Sequence, residues 1–316
     1  MRLRHVPVRK LRFVERPPRQ EEWRGIHRAA EAGVRDAEQA FLAAIRALDR
    51  ATRSAPIRGA VGRDAPEIAA SAIPWDVFRH ALEAKLLPVL MDVTRAGAGV
   101  TVRSLATQLD QRLVLRKQHG EIAAAFDLAN PKTAAAIARH GAELVTEITE
   151  ETRLAIREVA LAAQQFGWDI RTQAEKITAA LRRAVGVNAP QARALTNYAV
   201  ALEAAGRSPA DIASLVAERR DAMIAQRARM IARNETLTAA NAGQQSIWDQ
   251  AVERGLLEPK QKRKWLTQGS MACEICAPMD GQIREMGEEF VSPYSGDSTE
   301  YPPIHVSCLC VTVLDL

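Results

Sequence analysis

The residues best suited to chemistry in this chain are Cys273-x-x-Cys276 and His305-x-x-Cys308-x-Cys310. They include all four cysteines, and the 272 residues before them contain none. Thiolates and an imidazole at these spacings are soft-metal ligands. Zinc takes four such groups at about 2.0–2.3 Å in a tetrahedron. A C-x-x-C turn places two thiolates on one side of an ion, and a second turn, His305-x-x-Cys308, can supply the other two. In an extended strand Cys308 and Cys310 point the same way about 6.8 Å apart along the chain. Both then reach one ion only if the chain bends. The first-choice ligands are therefore Cys273, Cys276, His305 and Cys308, with Cys310 replacing one of the last two as the alternative. Disulfides Cys273–Cys276 and Cys308–Cys310, or buried free thiols, are the competing readings. A structural zinc is the expected cofactor, because a catalytic one needs an open coordination position and a nearby general base.

Charge argues against reading this cluster as a nucleic-acid-binding finger. The chain carries +5 overall, but residues 273–316 hold eight carboxylates against one cation, Arg284. The segment is thus −7 and the remainder +12. An acidic module repels phosphate rather than neutralising it. The basic run Lys260, Lys262, Arg263 and Lys264 can instead pair with the acidic segment internally.

The elements that must position these ligands are mostly helical. Apolar residues make up 47% of the 316 and aromatics only 4%, with alanine supplying the difference. Such chains favour long helices with thin cores, because Ala loses no side-chain entropy in a helix. Residues 1–19 carry seven Lys or Arg, one Glu and three prolines. They read as an extended basic arm in which Arg2, Arg4, Arg9, Lys10 and Arg12 are candidate contacts to DNA or a partner.

Helical periodicity covers Glu21–Arg50, then a segment starting near Pro74, where Pro88 predicts a kink or stop and Gly97 and Gly99 a close. Asn130-Pro131 caps a helix running to about Phe166. Thr172 with Glu175, Asn188 with Pro190, and Ser208-Pro209 open three more. The last of these reaches past Trp248 toward Gly255. Beyond it, Lys262–Thr267 reads as a strand, Asp280-Gly281 as a hairpin turn, and Val306–Leu314 as an alternating β segment. The expected fold is mainly α: a long Ala-rich helical body with a small C-terminal zinc-ribbon-like β module. Its divisions are 1–66 (basic arm and helix), 67–255 (helical body) and 256–316 (Cys/His β module). No uncharged apolar run approaches the roughly 18 residues that cross a bilayer, so no membrane partner is expected. No apolar stretch follows the basic N-terminus, so reduced thiols and a cytoplasmic site of synthesis are the default.

Several separated motifs occur together in order. They are Arg233-Asn-Glu-Thr236, Asn241-Ala-Gly243, Lys264-Trp265-Leu-Thr267, Cys273-x-x-Cys276-x-x-x-Asp280-Gly281 and Pro302-Pro303-x-His305-x-x-Cys308-x-Cys310. Phe126-Asp-Leu-x-Asn130-Pro131 and Gln191-Ala192…Asn197-Tyr198 precede them. Over about residues 70–316 this closely resembles the phage Mu F-like minor head proteins, the phage head morphogenesis family related to the SPP1-type minor head protein. Two departures stand out. The family usually has threonine at the place of Asn234, and His-Pro-x-Cys-Arg-Cys where this chain has His305-Val-Ser-Cys308-Leu-Cys310.

The resemblance implies a structural minor capsid protein of a tailed phage. It would associate with portal and major capsid proteins, act in head assembly and DNA packaging or delivery, and reside in the virion head. It marks Arg233, Glu235, Asn241, Trp265, Asp280 and Gly281 as structural motif residues, with Arg233 and Glu235 expected in a buried or interhelical ion pair. The other function class is a zinc-stabilised DNA-binding or DNA-processing protein.

No enzyme is expected. The chain has no G-x-x-x-x-G-K-[ST], H-E-x-x-H or G-x-S-x-G. It also lacks the Glu-x-Glu pair of the ADP-ribosyltransferase domains fused to some relatives. His5, His27, His80, His119 and His140 read as surface or packing residues.

Overall fold

In a computed structural model, residues 18–52, 71–113, 127, 130–165 and 184–315 are described. Five helices come first: α1 (Pro18–Thr52), α2 (Trp75–Leu113), α3 (Pro131–Gln165), α4 (Ala189–Ala204) and α5 (Pro209–Glu253). Strands β1 (Lys262–Leu266), β2 (Ile283–Glu285), β3 (Phe290–Val291), β4 (Ser298–Thr299) and β5 (Val311–Asp315) follow. The expected mainly α body with a small C-terminal β module is what forms. The basic arm residues Arg2, Arg4, Arg9, Lys10 and Arg12, and the Thr172–Glu175 cap, lie outside the described residues.

Helix α5 explains the arrangement. From Glu235 to Ala251 almost every position is buried, on all sides of the helix. Such a helix needs neighbours all round. It has them in α1, α2 and α3, and its C-terminal half meets the β module. The buried face is not uniformly apolar, so its polar groups must be satisfied. Gln244 donates to Glu22 of α1 at 3.0 Å, and Ser246 accepts from Thr133 of α3 at 2.6 Å. Gln250 exchanges two bonds with the Asp127 backbone, at 2.9 and 3.0 Å.

Helix α2 does not end at Gly97 and Gly99 as expected; it runs on to Leu113. Gly97 is there for close approach. A Cβ on it would sit 2.2 Å from the Ala240 carbonyl oxygen, and one on Gly243 2.0 Å from that of Thr94. The backbones of α2 and α5 touch where both lack a side chain. Pro88 does not stop α2 either. Leu82, Leu86, Leu90 and Val93 on both sides of it are buried in one core, and that packing offsets the lost hydrogen bond.

The caps at Asn130, Asn188 and Ser208 form as read. Asn188 and Gln191 make a reciprocal capping box, and Ser208 accepts from the Asp211 N–H at 3.1 Å. The division near residue 66 is not a break in packing. Helix α1 shares its core residues Ile26, Phe41 and Leu48 with α2 and α5. The C-terminal module is also continuous with the body, since Val311 joins that core and Leu314 packs with Ile247, Trp248 and Leu257.

The sheet order is β2-β1-β5, all antiparallel, with Trp265 opposite Thr312 and Lys264 opposite Ile283. Strand β5 is shorter than the Val306–Leu314 stretch, and Val311–Leu314 are all buried instead of alternating. Val311 on one face and Leu314 on the other both pack against helices. Asp280-Gly281 is not a two-residue hairpin. The Gln282 N–H donates to the Met279 carbonyl at 2.9 Å, with Asp280 at φ −58°, ψ 125° and Gly281 at φ +79°. This is a type II turn, which needs a residue tolerant of positive φ at its third place. It closes the long loop that carries Cys273 and Cys276.

Candidate metal centre

Two tight turns build the centre. In the first, the N–H groups of Cys276 and Ala277 both donate to the Cys273 carbonyl, at 3.1 and 2.8 Å. In the second, the Cys308 N–H donates to the His305 carbonyl at 3.1 Å, with Ser307 at φ +65°. Both turns adjoin the three-stranded β2-β1-β5 sheet. Trp265 is fully buried there, packs on Phe290 at 5.2 Å between ring centres, and shares a core with Cys276, Cys308 and Cys310. Gly281 donates to the Trp265 carbonyl at 2.9 Å, and Asp280 accepts from both the Thr267 N–H and hydroxyl, at 2.9 and 3.0 Å. The motif residues Trp265, Thr267, Asp280 and Gly281 thus form one lock that holds the first turn in place.

All five candidate ligands converge. Cys273 Sγ and Cys276 Sγ lie 3.1 and 2.9 Å from His305 Nε2, and Cys276 Sγ lies 3.7 Å from Cys308 Sγ. Two donor groups share Cys276: one is Cys273, Cys276 and His305, the other Cys276, Cys308 and Cys310, each within 4.8 Å throughout. Cys308 and Cys310 are not held a strand's rise apart: both precede β5, and their Sγ atoms lie within 4.8 Å of each other. No disulfide joins the described cysteines.

The thiols differ electrostatically. Burial, then the neighbouring Cys308, pushes Cys276 up to about 12. A hydrogen bond from Cys310 is the main cause that brings Cys308 down to about 6, and it pushes Cys310 itself up, with burial adding to it. Burial raises Cys273, but backbone N–H groups of Cys276 and Ile275 outweigh it and the net shift is down. Crowded thiols of this kind compete for negative charge until a cation shares it.

Around this centre are residues whose weight was not apparent in sequence. Arg263 is fully buried. It donates to Gln245 Oε1 of α5 at 3.0 Å and to the carbonyls of Glu300, Glu285 and Glu288 at 2.8, 3.0 and 2.7 Å. It also lies 5.3 Å from the Phe290 ring. Of the basic run, Arg263 alone is drawn fully inward, while Lys260 is exposed and sits 3.9 Å from Glu285. The signal was period two: on a strand Arg263 shares a face with Trp265. His27 of α1, stacked on Trp23 at 4.1 Å, bonds the Leu309 carbonyl between the last two cysteines at 3.0 Å.

Arg233 and Glu235 do not pair, because Arg233 is exposed and Glu235 is buried. Two residues apart on a helix, they face different ways. Glu235 takes its bond from His140 of α3 at 2.6 Å. Asn241 is buried and donates to the Leu237 carbonyl of its own helix at 3.0 Å.

A buried arginine thus clasps a helical body to a small β module, with a thiol-rich centre inside that module. Comparison with protein families then gives the identity. The profile of Phage Mu protein F like protein matches residues 97–313, and the chain belongs to that family. It is thereby a phage head morphogenesis protein, and the family points to the virion head as its location and to other head components as its partners. No curated protein and no solved structure matches the chain. Among the described residues no helix is long and apolar enough to cross a membrane.

Proposed function

We propose that this chain is a structural minor capsid protein that sits at the portal vertex of the head and acts in assembly and DNA packaging or delivery, without catalysis. The observation that carries the reading is the clasp between α5 and the module: the Cys/His element is built into the same packed core as the helical body. The partners are the portal protein and the major capsid protein. The +12 charge of the chain outside residues 273–316 favours an acidic portal surface or packaged DNA.

The metal in this reading is a structural zinc. The donor set fits it: thiolates and one imidazole converge, and the Cys276–Cys308 spacing of 3.7 Å matches the edge of about 3.8 Å in a tetrahedron with Zn–S near 2.3 Å. The ion would hold the two turns together and neutralise the crowded thiols. The cavity beside it, about 100 Å³, is lined by Gln268, Met271, Ala272, Ser307 and Leu309 besides the ligands themselves. That lining offers no carboxylate or second histidine to serve as a general base, which supports a non-enzymatic centre.

The test is quantitative mass spectrometry of purified heads made with and without portal protein. Low-copy presence that disappears with the portal supports the reading. Salt-dependent DNA binding by the isolated protein, combined with retention in portal-free heads, favours the DNA-binding alternative. Nuclease activity abolishes the proposal.

A further inference from the structure

The exposed apolar side chains of this protein gather at one end. Among the described residues ten large ones stand well out of the core, and six of those are in the β module: Met271, Ile283, Val291, Tyr294, Val306 and Leu309. The three most exposed are Met271 at 73%, Val306 at 64% and Tyr294 at 63%. They border the two cysteine turns. Met271 and Leu309 line the hollow beside the thiols. Val306 lies within the second turn, next to His305. The Tyr294 hydroxyl donates at 3.2 Å to Glu274, the residue after Cys273. Large apolar groups gathered in water beside a hollow mark a surface that something covers.

The chemistry around that surface selects its occupant. Glu274, Asp280, Glu289 and Asp297 are exposed on the same module. Among the described residues the module's carboxylates make one ion pair, Lys260 with Glu285 at 3.9 Å. The matching segment is therefore both apolar and cationic. Residues 1–17 have that composition: six Lys or Arg against one Glu, interleaved with seven apolar residues between Met1 and Val14. They also join the described chain close to the surface. His27 of α1 donates to the Leu309 carbonyl at 3.0 Å. Pro18, where α1 begins, is nine residues earlier, about 14 Å along a helix. Seventeen residues can span up to about 56 Å, so the reach is ample.

We propose that residues 1–17 dock within their own chain on the face of the β module formed by Met271, Val306 and Leu309. Apolar residues of the arm cover the face, and its cations meet Glu274 and the other exposed carboxylates. Exposed ion pairs contribute little singly, but the tether makes the contact intramolecular, so a weak interface suffices. This goes beyond the assembly reading: the basic arm has an acidic partner inside the chain, which competes with portal or DNA for it.

The test is photo-crosslinking of the full chain carrying Val306→p-benzoylphenylalanine, repeated with the same replacement at Met271. Met230 is exposed on α5, outside the module, and serves as the comparison position. Peptide mass spectrometry should map the Val306 and Met271 products to residues 1–17, in a species of monomer mass whose yield is unchanged on dilution. The yield of arm product from Met230 should be lower by about tenfold or more, because a tether alone does not choose a face. Adding R9E/K10E/R12E should cut the Val306 arm product by about tenfold, the scale of several exposed ion pairs together. Products that map elsewhere in the chain overturn the proposal, as does equal arm labelling from Val306 and Met230. Arm products confined to a species of dimer mass assign the face to a second copy and overturn docking within the chain. A charge-reversed arm labelled at the wild-type yield also overturns it.

Discussion

Replacing Arg263 with methionine should loosen the whole C-terminal module. The guanidinium is fully buried and bridges α5 to three backbone carbonyls of the β module. Methionine fills much of the same volume but donates nothing. The Glu285 carbonyl keeps the Glu288 N–H as a second donor at 3.2 Å, so it suffers least. The Gln245 side chain and the Glu288 and Glu300 carbonyls lose a charge-assisted donor. Stranding one buried acceptor costs about 1–3 kcal/mol, and breaking a buried charged network by removing one partner costs about 3–5 kcal/mol in total. The expected destabilisation is about 3–5 kcal/mol, carried mainly by the module. R263K should recover at most about half of it, because an ammonium is a point donor and cannot fork between Gln245 and the carbonyls. Urea unfolding followed by Trp fluorescence and by far-UV circular dichroism measures it, and the fluorescence transition should move to lower urea first. A variant R263M within about 0.5 kcal/mol of wild type by both probes refutes the clasp.

Three further outcomes follow from the same structure. Gly243→Ala and Gly97→Ala each force a Cβ into the facing backbone and should cost about 1–3 kcal/mol or more by overpacking. Gly141→Ala meets only Leu87 at 3.7 Å and should instead be stabilising by about 0.5–1 kcal/mol in the same urea assay. The bond to Glu235 raises His140 above its ordinary value against the opposing effect of burial. A raised folded value means that this stabilisation is complete below the ordinary histidine value near 6.5 and fades as pH rises through the folded one. H140Q should therefore flatten the loss of thermal midpoint between pH 6 and 8; an unchanged slope argues against the pair. Stripping metal with a chelator should alter Trp265 emission while leaving the helical dichroism almost intact. Helix α5 melting with the module would show that the body depends on the metal too.

The class of fold and the candidate donors were legible because they rest on local chemistry. Asn188, Ser208 and Asn130 cap helices through their own neighbours, so their helices start where the sequence places them. The five candidate donors are named by residue type and spacing. Gly97 and Pro88 misled because α2 packs one continuous stripe, from Phe78 to Leu105, on its neighbours, and that packing carries the helix past both where an isolated one would stop. Asp280-Gly281 signals a turn but not its kind, since the choice of type II depends on where β1 and β2 must meet.

The sequence by itself determined a helical, alanine-rich body, an acidic Cys/His tail and the family that joins them. Only the tertiary structure decided which groups meet. Glu235 pairs with His140 rather than Arg233, because a helix turns neighbours two apart to different faces. Arg263 leaves its basic run for the interior, because a strand alternates and α5 lies behind it. Cys310 joins the candidate metal donors because β5 begins only after it and its thiol packs beside Cys276 and Cys308. Each of these is a long-range packing result, and such contacts depend on how distant elements dock rather than on the residues next in line.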